Sequence, residues 1–358
     1  MARRGENIYK RKDGRWEGRY KCGYSDNKAK YRSVYAHTYQ EVKEKLQKLR
    51  STAVNYTSSG KRKIGELCDE WLTAAKLRVK TSTYSCYQMK INKHILPYFG
   101  ELQYDKLTVS AVHDFINIKL GHGLSAKYVS DIIIVFKTMT KYIAKVHGYF
   151  NPLENVIMPQ KYKCEMKLLT KLEQDRLCRF VCNKPDNTKL GVMLSYYTGL
   201  RIGEVCGLKW NDIDFIKGVM RIKRTIQRIY ENGCTKLIIG TPKSRSSVRE
   251  IPLPTFLIDI LKRFKDNDDT FVLSGTNKPV EPRVLQYRFK TMLNTLNLSS
   301  VNYHSLRHMF ATNCIEIGFD VKTLSEILGH SSVETTLNRY VHSSIERKTA
   351  CMNLLKAS

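Results

Sequence analysis

No run of about 18 uncharged apolar residues occurs in the 358-residue chain, so no segment reads as a membrane-spanning helix. The opening Met1-Ala2-Arg3-Arg4-Gly5 lacks the apolar stretch of a secretory leader. A cytoplasmic protein with no membrane partner is the expectation. None of the ten cysteines forms a Cys-x-x-Cys pair, and no zinc-like ligand spacing appears. Most sit in apolar runs and read as small buried hydrophobes in a reducing compartment. No carboxylate cluster suited to magnesium is visible, so neither metal nor cofactor is expected. Acidic residues are in short supply: 33 Asp+Glu face 61 Lys+Arg, a formal net charge of +28. That surplus exceeds what solubility requires and implies a polyanionic partner, nucleic acid ahead of an anionic membrane surface.

What is present suits several folded domains. The length predicts two or three of them, and 42% hydrophobic residues suffice for their cores. Residues 1–60 read as three short antiparallel strands followed by one helix. Asp13-Gly14 is the first turn, and Thr38 is placed to cap a helix over Tyr39 to Leu49. Residues 1–62 hold 17 Lys+Arg against 6 Asp+Glu, a surplus of 11. Arg15, Arg19, Lys21, Lys28, Lys30 and Arg32 alternate with aromatics, as on a sheet face laid against DNA, although each alone reads equally well as solvated surface. Ser51 to Gly60 is a polar linker.

Residues 63–157 read as a four-helix domain. Ile64, Leu67, Trp71 and Leu72 form the first apolar stripe, and Thr81 or Ser82 is placed to cap a second helix ending near His94. Thr108 and Ser125 are placed to cap the third and fourth. Lys127, Lys137 and Lys141, off the apolar stripe of the fourth helix, are candidate DNA contacts. Pro159 to Lys163 reads as a second linker. Residues 165–358 read as a mainly α domain with a small antiparallel sheet. Thr170 is placed to cap its first helix, and Gly218 to Thr225 and Thr235 to Gly240 read as strands around the turn Glu231-Asn232-Gly233. A basic hairpin, Thr241 to Arg249, follows. The fold class is therefore multidomain α+β.

The residues that carry chemistry recur in order along this last domain: Thr198-Gly199-Leu200-Arg201-Ile202-Gly203-Glu204, His304-Ser305-Leu306-Arg307-His308, Leu328-Gly329-His330 and Arg339-Tyr340. Attack on a phosphodiester without metal needs forked cations for the non-bridging oxygens, and groups that move a proton off the nucleophile and onto the leaving oxygen. A tyrosine, with an ordinary pKa of about 10, becomes a usable nucleophile where arginines stabilise its phenolate. Singly, each motif also reads as something plainer. Arg201 and Glu204 fit a helical ion pair, His304 and Arg307 a solvated face, and His330 a helix C-terminal histidine. Tyr303 rivals Tyr340, while Arg245 and Arg249 rival Lys243.

Taken together, these motifs resemble the signature of the tyrosine recombinase (phage integrase) family over residues 168–345. The resemblance implies Arg201 and Arg307 as phosphate clamps, Lys243 as the acid for the 5′ oxygen, and His304 and His330 as aids to proton transfer. It implies Tyr340 as the nucleophile of a 3′-phosphotyrosyl bond, with Glu204 supporting Arg201. More weakly, the N-terminal half resembles the arm-binding and core-binding domains of integrases from phages and conjugative transposons. The implied activity is site-specific recombination, integration or excision of a mobile element. Its implied partners are double-stranded DNA with core and arm-type sites, a homotetramer on paired sites, and an accessory DNA-bending or excision protein. The alternatives are a type IB topoisomerase-like nicking-closing enzyme and a non-catalytic DNA-binding regulator on the same fold. Ile345, Ala350, Leu354 and Leu355 are spaced for a C-terminal helix that packs either on its own domain or on a neighbour.

Overall fold

A computed structural model describes residues 7–25, 28–54, 61–160, 167–231, 233–242, 245–340, 349 and 352–353. The chain divides into two units, residues 1–163 and 164–358.

In the first unit, β1 (Ile8–Lys10), β2 (Trp16–Ser25) and β3 (Lys28–Ala36) form an antiparallel sheet in that order. Gly14 turns the chain between β1 and β2 at φ +84, a conformation that suits glycine. Thr38 Oγ1 accepts from the Glu41 N–H, so α1 (Tyr39–Val54) begins where the sequence predicts. Helix α1 lies on the Gly18 face of the sheet so closely that a Cβ there would fall 2.5 Å from Val42. Ile8, Ala36, Val42 and Leu46 form this small core.

Farther along the same unit come α2 (Ile64–Lys76), α3 (Thr81–Lys90), α4 (Leu96–Phe99), α5 (Val109–Gly121) and α6 (Ala126–His147). Thr108 accepts from the Ala111 N–H and Ser125 from the Tyr128 N–H, as expected of caps. The second helix departs from its expected ends. Extended Lys80 is its N-cap and makes no side-chain capping bond, so Thr81 lies inside the helix. Nor does the helix stop near His94. A widened turn, Ile91–Ile95, carries it into α4, with the Leu96 N–H reaching back to the Ile91 carbonyl. That wider spacing lets Pro97, which has no N–H to give, sit in the next turn. On α6, Val129, Ile132, Phe136, Met139 and Ile143 are all fully buried. Each stabilises the bundle by about 1.5–3 kcal/mol before entropy is counted.

The second unit begins with α7 (Lys171–Cys182), where Thr170 and Glu173 make a reciprocal capping box. Helix α8 (Asn187–Thr198), capped by Asp186, is buried nearly all round and forms the axis of the unit. After α9 (Ile202–Cys206), strands β4 (Ile213–Asp214), β5 (Val219–Ile222) and β8 (Arg249–Pro252) make one sheet. A separate hairpin pairs β6 (Thr225–Glu231) with β7 (Cys234–Gly240). The single strand expected over 218–225 is thus split, because Arg224 turns aside to bond buried Asp212. The remaining elements are α10 (Thr255–Phe264), α11 (Pro282–Thr295), α12 (His304–Glu316), α13 (Val321–Leu328) and α14 (Val333–Tyr340). Helix α12 packs on α8, and α14 packs on α12 and α13. The four tail residues named above lie outside the described residues. Among the described residues no helix is long and apolar enough to cross a membrane.

Candidate functional site

Two left-handed glycines frame the site. Gly199 ends α8 at φ +67, where a Cβ would fall 2.5 Å from the Phe310 ring. Gly329 ends α13 at φ +66, and a Cβ there would fall 2.9 Å from Arg249 Cδ. Only glycine fits either place without strain. Each turn then delivers one candidate side chain, Arg201 from the first and His330 from the second.

Arg201 occupies the N-cap of α9, and Glu204 one turn later answers it twice. The carboxylate accepts from the Arg201 backbone N–H at 3.0 Å and from Nη1 at 2.8 Å. Glu204 is 3% exposed and also faces Arg249. Burial pushes its carboxyl up, but Arg249 and Arg201 outweigh that and hold it below the ordinary range. The plain helical ion pair is therefore real, and it is anchored in the interior.

Arg307 is not on a solvated face; it is 2% exposed. Its Nη1 donates to the Gly199 carbonyl and its Nη2 to the Leu328 carbonyl, each at 2.7 Å. No carboxylate forms an ion pair with it among the described residues. Burial and the nearby Arg201 charge lower its pKa to about 9, still above neutrality. A desolvated guanidinium held only by carbonyl dipoles favours an anion beside it.

Three imidazoles and a phenol complete the cluster. His304 opens α12 with its edge exposed, and partial burial with Arg307, Arg201 and Arg339 keeps it below the ordinary imidazole range. His308, one turn on, is buried with no partner for Nε2 among the described residues, and its ring lies edge-on 4.7 Å from His304. His330 shares a hydrogen bond of 2.8 Å between Nδ1 and Thr336 Oγ1. Burial first, then Arg307 and Arg201, push His330 down to about 4. Tyr340 ends α14 at 6% exposure. Its ring stacks at 5° on His330, 6.3 Å away, and stands 5.4 Å from His308. Among the described residues the Tyr340 hydroxyl makes no well-formed hydrogen bond, though the Arg339 side chain lies close enough to favour its phenolate. Burial raises its pKa, while Arg307, Arg339 and Arg201 oppose that rise.

Arg201, Glu204, His304, Arg307, His330 and Tyr340 are thus brought into one connected cluster. Lys243 lies outside the described residues. Tyr303, the rival nucleophile, is removed from contention, since its hydroxyl donates to the Gly191 carbonyl inside the core and accepts from Ser195. Arg249 is no rival to Lys243, because its guanidinium is spent on Glu204. His308 was given no role by sequence reasoning, and Arg249 was weighed only as a rival to Lys243. The adjacency of His308 to Arg307 in the motif was the available signal; for Arg249 there was none beyond its basic hairpin.

The residues read as DNA contacts are placed unevenly. Arg19 sits on the sheet face opposite α1, paired with Glu17 at 2.8 Å, and Tyr9 and Tyr35 flank Glu17 across the strands. Arg15 pairs with Asp13 at 2.9 Å. Arg32 is exposed but falls at the opposite parity, across from Tyr20, so the six basic residues do not share one face. The side chains of Lys21, Lys28 and Lys30 lie outside the described residues. Lys127 and Lys141 are exposed on α6, while Lys137 donates to the Glu154 carbonyl.

Residues 167–347, half the chain, match the phage integrase family, and residues 63–120 match the phage integrase N-terminal SAM-like domain. The chain is 28% identical to a "Tyrosine recombinase XerC-like" protein of Caldanaerobacter subterraneus subsp. tengcongensis, covering 82% of each chain. It is 26% identical to the ICEBs1 integrase of Bacillus subtilis, covering 76% of this chain and 77% of that one. The Tn1549 transposon integrase, solved in complex with transposon right end DNA, superposes with a TM-score of 0.69 at 22% identity, over 83% of this chain and 100% of that one.

Proposed function

Since this chain belongs to the phage integrase family and is a tyrosine site-specific recombinase, cutting and rejoining DNA through a 3′-phosphotyrosyl intermediate, we propose that Tyr340 is its nucleophile and that Arg201 and Arg307 hold the scissile phosphate. The observation that carries this assignment is Arg307, a buried guanidinium with no carboxylate ion-paired to it among the described residues, in the same cluster as a buried phenol faced by Arg307, Arg339 and Arg201. The phosphate supplies the missing anion. Its two non-bridging oxygens accept from the two arginines, and the guanidiniums that hold it also stabilise the phenolate.

The Tyr340 oxygen attacks phosphorus, the bond to the 5′ oxygen breaks, and the phosphodiester energy stays in the P–O bond to tyrosine. The phenolic proton leaves through the imidazoles around Tyr340. The 5′ oxygen gains a proton, a role for which Lys243 is our candidate. His304 and His330, neutral at pH 7, are free to accept or share protons, and Glu204 steadies Arg201. A 5′ hydroxyl from another cut strand then reverses the step and joins new partners.

We place double-stranded DNA on the core-binding helices of residues 63–157, with Lys127 and Lys141 as candidate backbone contacts, and arm-type DNA on the module of residues 1–60. Two rounds of exchange between two duplexes need four active sites, hence a homotetramer on paired sites, with an accessory DNA-bending protein as a further candidate partner. Cytoplasmic DNA is the proposed setting. A nicked suicide substrate, from which the 5′ fragment diffuses away, tests the assignment. Wild-type protein should form a covalent adduct, and Tyr340→Phe should bind the same DNA without forming one. An adduct of undiminished yield with Tyr340→Phe would remove Tyr340 from the role.

A further inference from the structure

Arg249 opens β8 with its side chain 6% exposed, and its contacts run in three directions. Nη2 meets Glu204 Oε2 at 3.0 Å and Nη1 meets Oε1 at 3.3 Å, so its fork spans the carboxylate. Nε donates to the Ile327 carbonyl near the end of α13, and Nη1 also donates to the Ser247 carbonyl at 3.0 Å. Its side chain fills the space beside Gly329, where a Cβ would fall 3.1 Å from Nη1. Glu204 holds Arg201 on one side of this guanidinium, and His330 follows Gly329 on the other. Arg307 joins the same two turns through the Gly199 and Leu328 carbonyls. The α9 turn and the α13 turn are therefore cross-braced twice, once by each arginine.

The two braces differ in what they do to charge. Glu204 carries one negative charge, 3% exposed, between two guanidiniums. With Arg249 present, the carboxylate is shared, and Arg201 keeps much of its positive charge for another anion. Without Arg249, the whole carboxylate faces Arg201 alone and competes directly with a phosphate for it.

Resting on the site assignment above, we propose that Arg249 is a positioning residue for strand cleavage, fixing the separation of Arg201 and His330 and sharing the Glu204 carboxylate so that Arg201 stays available to the scissile phosphate. Arg249 acts through these neighbours and is not placed on the DNA. Its loss should slow chemistry and leave DNA binding nearly intact, since affinity for DNA comes from many other cations.

The test uses the full chain, measuring DNA affinity and the single-turnover rate of adduct formation on a nicked suicide substrate at saturating protein. Arg249→Met should bind DNA within about threefold of wild type and cleave about 100-fold more slowly. Adding Glu204→Gln to Arg249→Met should restore about tenfold of that loss, because the carboxylate left facing Arg201 is neutralised. A purely structural role would not give such a recovery, since a second buried change would only add to the damage. Arg249→Lys keeps the charge but loses the fork, and should cleave at least about tenfold more slowly with DNA affinity unchanged. It also decides the matter if Arg249→Met does not fold. Cleavage within about threefold of wild type by Arg249→Lys, or strictly additive losses in the double variant, would overturn the proposal. The absence of an adduct from wild-type protein would instead overturn the site assignment, and this proposal with it.

Discussion

Inorganic phosphate should stabilise this protein without any DNA, and the size of the effect follows from how Arg307 is buried. Folding carries a guanidinium into the interior at 2% exposure, with two carbonyls as its acceptors among the described residues. Of its five N–H donors, carbonyl bonds take one on each Nη. Arg201, 36% exposed along its side chain, opens the same cluster to solvent. Two charge-assisted hydrogen bonds contribute about 1.5–3 kcal/mol each, and part of that is lost to immobilising the ion. A Kd of about 1 mM, near −4 kcal/mol, is the resulting expectation. At about 20 mM phosphate the folded state then gains about 1.8 kcal/mol by mass action. For a unit of this size that raises the catalytic-unit melting transition by about 4–7 °C. Differential scanning calorimetry with ionic strength matched by sodium chloride measures it directly, and at this concentration general salting effects are small. Because the chain is so basic, weak phosphate binding elsewhere is expected. Arg201→Gln provides the control, retaining that background and losing the specific part. An equal shift in Arg201→Gln, or no shift beyond the chloride control, would refute the reasoning that this cluster is an anion site.

The imidazoles make a second prediction. Burial is the first cause that pushes His308 and His330 down to about 4, below the ordinary value of 6.5; His304 and then Arg339 add to it for His308, and Arg307 and then Arg201 for His330. A depressed histidine favours the neutral form in the fold, so its stabilising contribution is complete above about pH 6.5 and is lost as pH falls toward 4. Histidine ring signals in NMR should show these residues titrating well below free imidazole, and bound phosphate should move them upward; titration near 6.5 without phosphate would contradict the geometry. Gly329→Ala should cost about 1–2 kcal/mol through its left-handed backbone and its contact with Arg249, and should slow adduct formation more than it weakens DNA binding. Thr170→Ala removes a capping box remote from the chemistry and should lower stability by about 1 kcal/mol, read by urea denaturation, with cleavage unchanged.

Local signals and tertiary ones were unequally legible. Thr38, Thr108, Ser125 and Thr170 each cap the helix expected of them, because a cap is decided within four residues of chain. Lys80 in place of Thr81 and the widened turn before Pro97 escaped, since there the bundle core overrides local preference. The parity of Arg32 escaped for a related reason. Strand pairing, which sets Arg32 across from Tyr20 and Ser33 across from Arg19, and the placement of α1 decide which face is outer. The site motifs were readable because the reaction demands particular residue types and because their order resembles that of the family. Their surroundings were not: spacing along α12 suggests a solvated face for Arg307, and only the packing of α8, α13 and α14 around it takes the guanidinium out of water. The same packing explains why one arginine of the basic hairpin matters differently from its neighbours. Arg249 gains its place from two residues, Glu204 and Ile327, that are distant in sequence from it and from each other. A cluster of this kind is held together in part by burying a carboxylate among its cations. Among the described residues Glu204 is the one carboxylate set against the charges of Arg201, Arg249 and Arg307, which is why we propose the scissile phosphate as their further counter-ion.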